Sequence, residues 1–228
     1  KVILPKNFDD ALWPLLGWLA GAKSPDGIPI LTGLEFTQPN VDDLKAFSAA
    51  FGTMSSAPMF YINGHSSGGA PEPSLHLDKY EITSEDLKSL WTNFNCGSNE
   101  IELVAIGSPH ASSMECKKFL DLLDGKKCTK KTKTIITVGR ETLNQITKNG
   151  VLQKLKKCGV DIFPDICWCS ITKPIFPEKT KVVITNSGKY AHFGKALTSS
   201  DIRFGGLKEC ATAALTGKVA SGIPNWLL

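Results

Sequence analysis

Four short segments of the sequence carry side chains that could bind anions, move protons or coordinate metals. They span residues 107–110, 165–169, 185–192 and 203–210. Each follows or ends a run of aliphatic and β-branched residues that is typical of a strand. Ligands of parallel sheets bind beyond the carboxyl ends of the strands, so these segments are the candidates for a functional site.

Residues 185–192 are of types that could form an anion-binding site. Small residues there let backbone amides converge, and Asn186 and Ser187 add side-chain donors next to Gly188. Lys189 supplies a point charge for a carboxylate or a phosphate. A tight turn with an exposed lysine explains the same residues about equally well.

His110 stands between a predicted strand and a predicted helix. Ser112 and Glu115 match the capping box that starts such a helix. An imidazole at this edge could act as an acid, a base or a substrate ligand. A loop histidine that makes only structural hydrogen bonds is an equal alternative.

The seven cysteines fall into two groups. Cys167 and Cys169 follow a predicted strand, and Cys210 lies on the first turn of a predicted helix. Thiolates suit iron–sulfur clusters or zinc, although a C-x-C pair alone is a weak zinc signal. Their odd number and thin spacing favour reduced thiols over disulfides, so we expect a cytoplasmic protein. Packing or surface exposure explains the other four cysteines: Cys96, Cys116, Cys128 and Cys158.

A serine hydrolase pattern, G-x-S-x-G, occurs at residues 64–68. A nucleophile elbow must run directly into a helix. Glycines and prolines follow Ser66 instead, which makes a poor helix start. The pattern therefore favours a flexible loop, with a serine hydrolase kept as the weakest alternative.

Short β-rich runs alternate with helix-period segments along most of the chain. This order predicts an α/β fold of three-layer α/β/α units with mainly parallel sheets. We predict a first α/β segment over residues 1–98 and a second over 99–228, the second carrying the candidate loops. A buried helix interrupted near Pro14 is expected before the first strand. The predicted strands are 28–32, 58–62, 101–106, 134–138, 160–163, 181–185 and 201–204. The predicted helices are 41–51, 84–94, 113–123, 141–147, 151–157 and 207–215.

Composition narrows the possible partners. The 228 residues carry a net charge of +4, and only Arg140 and Arg203 among the 26 basic residues are arginines. Nucleic-acid recognition usually relies on arginine, so a nucleic-acid partner is not expected. No apolar run approaches the ~20 residues of a membrane span, so no membrane is expected. The chain starts with Lys1, and we expect it to be part of a longer or processed polypeptide.

Taken together, the candidate segments resemble the aconitase X family. The resemblance rests on Asp-Ile-Cys at 165–167, Ser-Gly-Lys-Tyr-Ala-His at 187–192, Gly-Gly-Leu-Lys-Glu-Cys at 205–210 and Gly-Ser-Pro-His at 107–110. It extends to residues 11–17, 28–34 and 222–227, and so covers nearly the whole chain. It implies an aconitase-like fold and a hydro-lyase that dehydrates a small hydroxy acid. Cis-3-hydroxy-L-proline is favoured over phosphorylated mevalonate, because a lone lysine without a nearby arginine suits a carboxylate.

The resemblance also implies an iron–sulfur cluster held by three cysteines. Cys167 and Cys210 match two of the ligands, and nothing here matches the third; a degraded cluster would leave mononuclear iron. Cys169 is a fallback ligand or a packed thiol. Ser108, His110 and Lys189 are the candidate catalytic residues, and residues 186–189 the candidate substrate-binding group.

A small swivelling domain or subunit completes the active site of this family and is the expected protein partner. Nothing in the sequence matches it, so the chain is interpreted as the C-terminal portion of the large-subunit region. A non-catalytic binding module with the same fold is the alternative from another functional class.

Overall fold

The computed structural model describes residues 1–72 and 77–228. These residues form two compact units: residues 1–92 with 223–228, and residues 93–222. The predicted boundary after residue 98 stays a prediction. Within the described residues, none of the helices combines the length and apolar character needed to cross a membrane.

The first unit is built around two packed helices. Its elements are α1 (Leu12–Lys23), β1 (Ile30–Leu31), α2 (Val41–Met54), β2 (Tyr61–Ile62) and α3 (Ser84–Phe94), whose last two residues belong to the second unit. The expected interruption of α1 at Pro14 is wrong. Pro14 is the third residue of α1, where a backbone N–H has no partner within the helix, so proline is tolerated there. The two short strands pair in parallel.

The second unit alternates strands and helices. Its elements are β3 (Leu103–Ala111), α4 (Ser113–Leu123), β4 (Lys133–Val138), α5 (Arg140–Lys148), α6 (Val151–Lys157), β5 (Val160–Pro164), a 3₁₀ helix (Trp168–Ser170), β6 (Val182–Thr185), α7 (Gly188–Thr198), β7 (Asp201–Phe204) and α8 (Leu207–Thr216). A second 3₁₀ helix (Asn225–Leu227) belongs to the first unit. The five strands of the second unit lie in the order β5-β4-β3-β6-β7, all parallel.

Helices pack against the five-stranded sheet. Buried side chains of α4, α5, α6 and α8 form one apolar core with the strands, whereas α7 contacts β6, β7 and the first 3₁₀ helix. The prediction of an α/β fold with mainly parallel strands is confirmed. The predicted capping box is also confirmed: Ser112 Oγ accepts from Glu115 N at 3.0 Å, and Glu115 Oε2 accepts from Ser112 N at 2.9 Å.

Two local differences from the sequence predictions matter for function. Helix α7 was not among the predicted helices, because its first residues have the composition of a loop. The serine at 66 is not on an elbow: residues 63–68 form turns, and Ser66 Oγ accepts a hydrogen bond from Ile62 N at 2.8 Å. The loop interpretation of this segment is confirmed as far as Glu72, and Pro73 lies outside the described residues.

Candidate functional site

The strand order creates a crevice at the carboxyl ends of β3 and β6. From β3 the chain winds outward through β4 to β5, and from β6 it winds in the opposite direction to β7. Helices leaving two neighbouring strands in opposite directions leave room between them, which is where ligands bind in open α/β sheets. The predicted segment 107–110 and the first residues of the predicted segment 185–192 therefore meet at this switch point.

Ser187 joins the two segments directly. It is the N-cap of α7, and its Oγ accepts a hydrogen bond from Tyr190 N at 3.0 Å. The same hydroxyl donates to the carbonyl oxygen of Ser108. Ser187 is only 5% exposed, so both bonds are shielded from water. The predicted substrate-binding serine thus also positions the start of α7 against β3.

The cysteine-bearing segment after β5 reaches the same place. Trp168 is buried, and its Nε1 donates to the Ile106 carbonyl on β3 at 2.8 Å. Its ring lies 5.5 Å from the ring of Tyr190. Because Trp168 is fixed on both sides, the half-buried Cys167 and Cys169 are held beside the crevice.

Two buried hydroxyls lie next to these thiols. Tyr190 Oη has no hydrogen-bond partner although Tyr190 is 0% exposed, and the hydroxyl of Ser108, a residue only 2% exposed, lies beside the Cys169 thiol. Burial raises the pKa of the Tyr190 phenol, and the neighbouring Cys169 and Cys167 raise it further. Burial also raises the pKa of the Cys169 thiol, as does the Cys167 thiol, while the Lys189 ammonium opposes the shift. One small region therefore holds two thiols, two hydroxyls and one cation.

The remaining residues of the predicted anion site surround the start of α7. Gly188 is its buried first residue, Lys189 follows on the first turn, and Asn186 is half-buried just before the cap. No acidic residue occupies this first turn. The amides of a helix N-terminus carry partial positive charge, which Lys189 reinforces.

His110 bonds the backbone of the cysteine-bearing segment. Its Nε2 lies 2.9 Å from the Ile166 carbonyl, so the ring donates its Nε2–H there. The adjacent Asp165 accepts from Arg140 N and Arg140 Nε, both at 2.8 Å. These bonds, chiefly the one from the Arg140 side chain, hold the pKa of the Asp165 carboxyl below its usual range. The catalytic roles predicted for His110 and Ser108 stay predictions.

Cys210 lies in a different environment. Its side chain is fully buried in the apolar core, together with Cys116 and Phe119 of α4. Across residues 1–72 and 77–228, no three histidine, cysteine, aspartate or glutamate side chains converge as a metal site requires. The side chains present therefore do not fit a complete three-thiolate site. The ligand roles of Cys167 and Cys210 stay predictions.

Sequence reasoning missed Tyr190 and Trp168 as parts of the site. The signal for Tyr190 was present, since it stands three residues after a serine that could cap a helix. The signal for Trp168 was only its position between two cysteines. Neither signal shows that a buried phenol would lack a partner, because that depends on the packing of three separate segments.

Two family models match the chain. The aconitase X second domain matches residues 1–92, and the aconitase X third domain matches residues 101–216. A crystal structure of holo aconitase X from Thermococcus kodakaraensis superposes with a TM-score of 0.81 at 24% identity. It covers 93% of this chain and 54% of that one, and it supports the fold.

Curated relatives include two cis-3-hydroxy-L-proline dehydratases. That of Pseudomonas aeruginosa is 36% identical over 97% of this chain, and that of Hypocrea jecorina is 32% identical over 99%. This chain spans 39% of the length of each. The phosphomevalonate dehydratase large subunit of Methanocaldococcus jannaschii is 26% identical over 89% of this chain and 50% of that subunit. Because the two family models together span most of its residues, the chain belongs to the aconitase X family.

Proposed function

We propose that this chain forms part of a hydro-lyase that dehydrates cis-3-hydroxy-L-proline. Family membership and the names of the two dehydratases support the reaction class and the substrate. The observation that carries the proposal is the meeting of Ser108, Ser187 and Lys189 at the switch point between β3 and β6. An α/β enzyme binds its substrate at such a point.

The substrate carboxylate would bind at the start of α7. The first-turn amides and the Lys189 ammonium offer positive charge there, and no acidic residue of that turn opposes it. Both arginines are engaged elsewhere: Arg140 with Asp165, and Arg203 with Asn95 at 3.1 Å. A single lysine without an arginine fork suits a carboxylate better than a phosphate, which favours the hydroxyproline.

Dehydration removes the proton on Cα and the hydroxyl on Cβ, which leave together as water. This chain contributes binding and orientation: the start of α7 holds the carboxylate, and the Ser108 carbonyl orients the cap of that helix through Ser187. The cluster implied by the family needs a donor set that the described residues do not complete. It stays part of the proposal, as do the swivelling domain or subunit and a cytoplasmic location.

The proposal is tested by incubating the full-length protein with cis-3-hydroxy-L-proline and measuring the cyclic imine that forms when the dehydrated product tautomerises. Turnover with this substrate and none with phosphomevalonate is expected. Turnover with phosphomevalonate and none with cis-3-hydroxy-L-proline would show that phosphomevalonate is the substrate instead. A folded protein that binds neither compound would identify a non-catalytic module of the same fold. If the small swivelling domain is a separate subunit, turnover is measured with and without it, and loss of turnover without it is expected.

Substituting Lys189 tests the anion site. Lys189→Met is expected to raise KM at least tenfold, because the charge that faces the carboxylate is lost while the helix is kept. Lys195→Met is the matched control, since Lys195 lies on the same helix and pairs with Asp201 at 3.0 Å. Equal KM values for the two variants would contradict the assignment of Lys189.

A further inference from the structure

The second unit contains a cavity of about 320 Å³ between the loop 171–180 and the last turn of α7. The loop leads from the first 3₁₀ helix to β6, and Leu197 and Thr198 are the last residues of α7. Small-molecule sites in proteins have volumes from about 300 Å³ upwards. Among the described residues that line the cavity, none belongs to the crevice between β3 and β6. The cavity is therefore a separate candidate for binding a small ligand.

Hydrogen bonds fix the loop that forms one wall of this cavity. Phe176 N donates to the Thr172 carbonyl at 3.0 Å, and Thr180 Oγ1 donates to the Pro177 carbonyl at 2.9 Å. The buried Ser200 donates from Oγ to the Thr180 carbonyl at 2.8 Å, which ties the loop to the segment after α7. The wall is therefore formed before a ligand arrives, so binding does not have to order the loop.

Apolar side chains give the cavity its interior. Ile171 and Phe176 are each only 8% exposed, and they line it from the loop. Leu197 lines it from α7 and is 51% exposed. Covering apolar surface of this kind is favourable. The cavity is therefore suited to a ligand with an apolar body.

The charged side chains of the lining are both cationic. They are Lys173 and Lys179, both exposed, and no acidic residue is among the described residues that line the cavity. Lys173 Nζ lies 3.9 Å from Glu178 Oε1, which makes only a weak surface pair. The carbonyls at the end of α7 carry partial negative charge, so an anionic group is expected beside the lysines rather than beside Thr198.

We propose that this cavity binds a small carboxylate with an apolar body. The carboxylate lies beside the two lysines, and the apolar body lies against Phe176 and Leu197. Lysines without an arginine fork suit a carboxylate better than a phosphate. The site goes beyond the proposed function, which uses none of these residues.

The experiment is a calorimetric titration of the full-length protein with 3-phenylpropionate, which has an aromatic body and one carboxylate. Saturable binding of one molecule per chain is expected. The uncharged analogue 3-phenylpropanamide should bind at least threefold more weakly, because it lacks the charge that faces the lysines. Absence of saturable binding would overturn the proposal, as would equal affinities for the acid and the amide.

One pair of variants tests the apolar wall. Leu197→Asp is expected to weaken binding of 3-phenylpropionate at least tenfold, because it replaces apolar surface by a negative charge. Met114→Asp is the matched control, since Met114 is an exposed apolar residue on α4, outside the cavity. Circular dichroism confirms that both variants are folded. Equal affinities in the two variants would overturn the placement of the ligand.

A second pair of variants tests the charge. Lys179→Met should weaken binding about threefold or more, as loss of one exposed ionic contact does. Lys195→Met is the control and should bind as the wild type does, since Lys195 does not line the cavity and pairs with Asp201. An unchanged affinity in Lys179→Met would contradict the cationic wall.

The crevice is the competing location for a carboxylate, and Lys189→Met separates the two. This variant should bind 3-phenylpropionate with the affinity of the wild type, and excess cis-3-hydroxy-L-proline should not displace the ligand. Loss of binding in Lys189→Met together with normal binding in Leu197→Asp would place the ligand in the crevice and overturn the proposal. Because binding is measured without turnover, an inactive protein that passes these tests would overturn the proposed function alone.

Discussion

Single residues of this site serve two purposes each. Ser187 caps α7 and also bonds the Ser108 carbonyl, so a residue of the proposed anion site also joins the end of β3 to the start of α7. His110 lies in the predicted catalytic segment, yet its observed bond positions the cysteine loop. At this scale, the side chains that would touch substrate cannot be separated from those that hold the backbone.

Removing the Ser187 hydroxyl should therefore cost more than an ordinary helix cap. Ser187→Ala loses the cap and the bond to the Ser108 carbonyl, and we expect a loss of about 2–3 kcal/mol in the free energy of unfolding. Ser112→Ala removes the cap of α4 and should cost about 1 kcal/mol. Urea denaturation measures both, and equal losses would show that the second bond contributes nothing.

Asp165 should make the stability depend on pH in the acid range. Its folded-state pKa lies below the usual 3.8, so its stabilisation is present above that value and is lost as the pH falls through the folded-state pKa. Asp165→Asn keeps a residue that tolerates the left-handed backbone at φ 59°. The variant should be less stable at pH 7, with the difference shrinking below about pH 4. Urea titrations at several pH values measure the free energy of unfolding of both proteins. A difference between wild type and variant that stays the same at every pH would contradict this prediction.

At the scale of elements, the distance between two packed helices decides whether a glycine in one of them can be replaced by a larger residue. In the first unit α1 crosses α2 so closely that a Cβ on Gly17 would lie 2.2 Å from the Phe47 carbonyl oxygen. On α2, a Cβ on Gly52 would meet nothing within 4 Å. Both glycines lie inside helices, and helix propensity alone would treat them alike.

The two glycines should therefore respond in opposite directions. Gly17→Ala forces the helices apart and should destabilise the protein by roughly 1–3 kcal/mol. Gly52→Ala relieves the entropy cost of a helical glycine and should stabilise it by roughly 0.5–1 kcal/mol. Thermal melts of the two variants give the comparison, and a stabilised Gly17→Ala would show that α1 and α2 pack less closely.

At the scale of the molecule, the seven cysteines form a graded series of exposure. All seven lie within the described residues, and no disulfide joins them. Cys96 is exposed, Cys167 and Cys169 are half-buried, and Cys116 and Cys210 lie in the core of the second unit. The rate at which each thiol is alkylated should therefore measure how far the structure around it has unfolded.

Alkylation of the metal-free protein should follow this order. Iodoacetamide is expected to modify Cys96 first and Cys167 and Cys169 next. Modification of Cys116 and Cys210 should require unfolding of the second unit, so their rates should rise together in urea. Mass spectrometry of timed samples locates each modification. Modification of Cys210 as fast as that of Cys96 would contradict its place in the core.

The sequence by itself determined the alternation of strands and helices, the capped start of α4 and the segments that carry chemistry. These are local properties, set by apolar periodicity and by side chains that bond their own backbone. The bounds of α3, α4 and α6 agreed with prediction for this reason. The resemblance to aconitase X, carried by contiguous motifs, was also confirmed.

Only the tertiary structure decided which segments meet. The strand order β5-β4-β3-β6-β7 brings residues 107–110 and 185–189 together, and no local pattern encodes it. The same packing buries Cys210 in the core and leaves Cys169 half-buried beside the Ser108 hydroxyl. Thiols and hydroxyls acquire their chemical character from burial and neighbours, and these are fixed only when distant segments pack against one another.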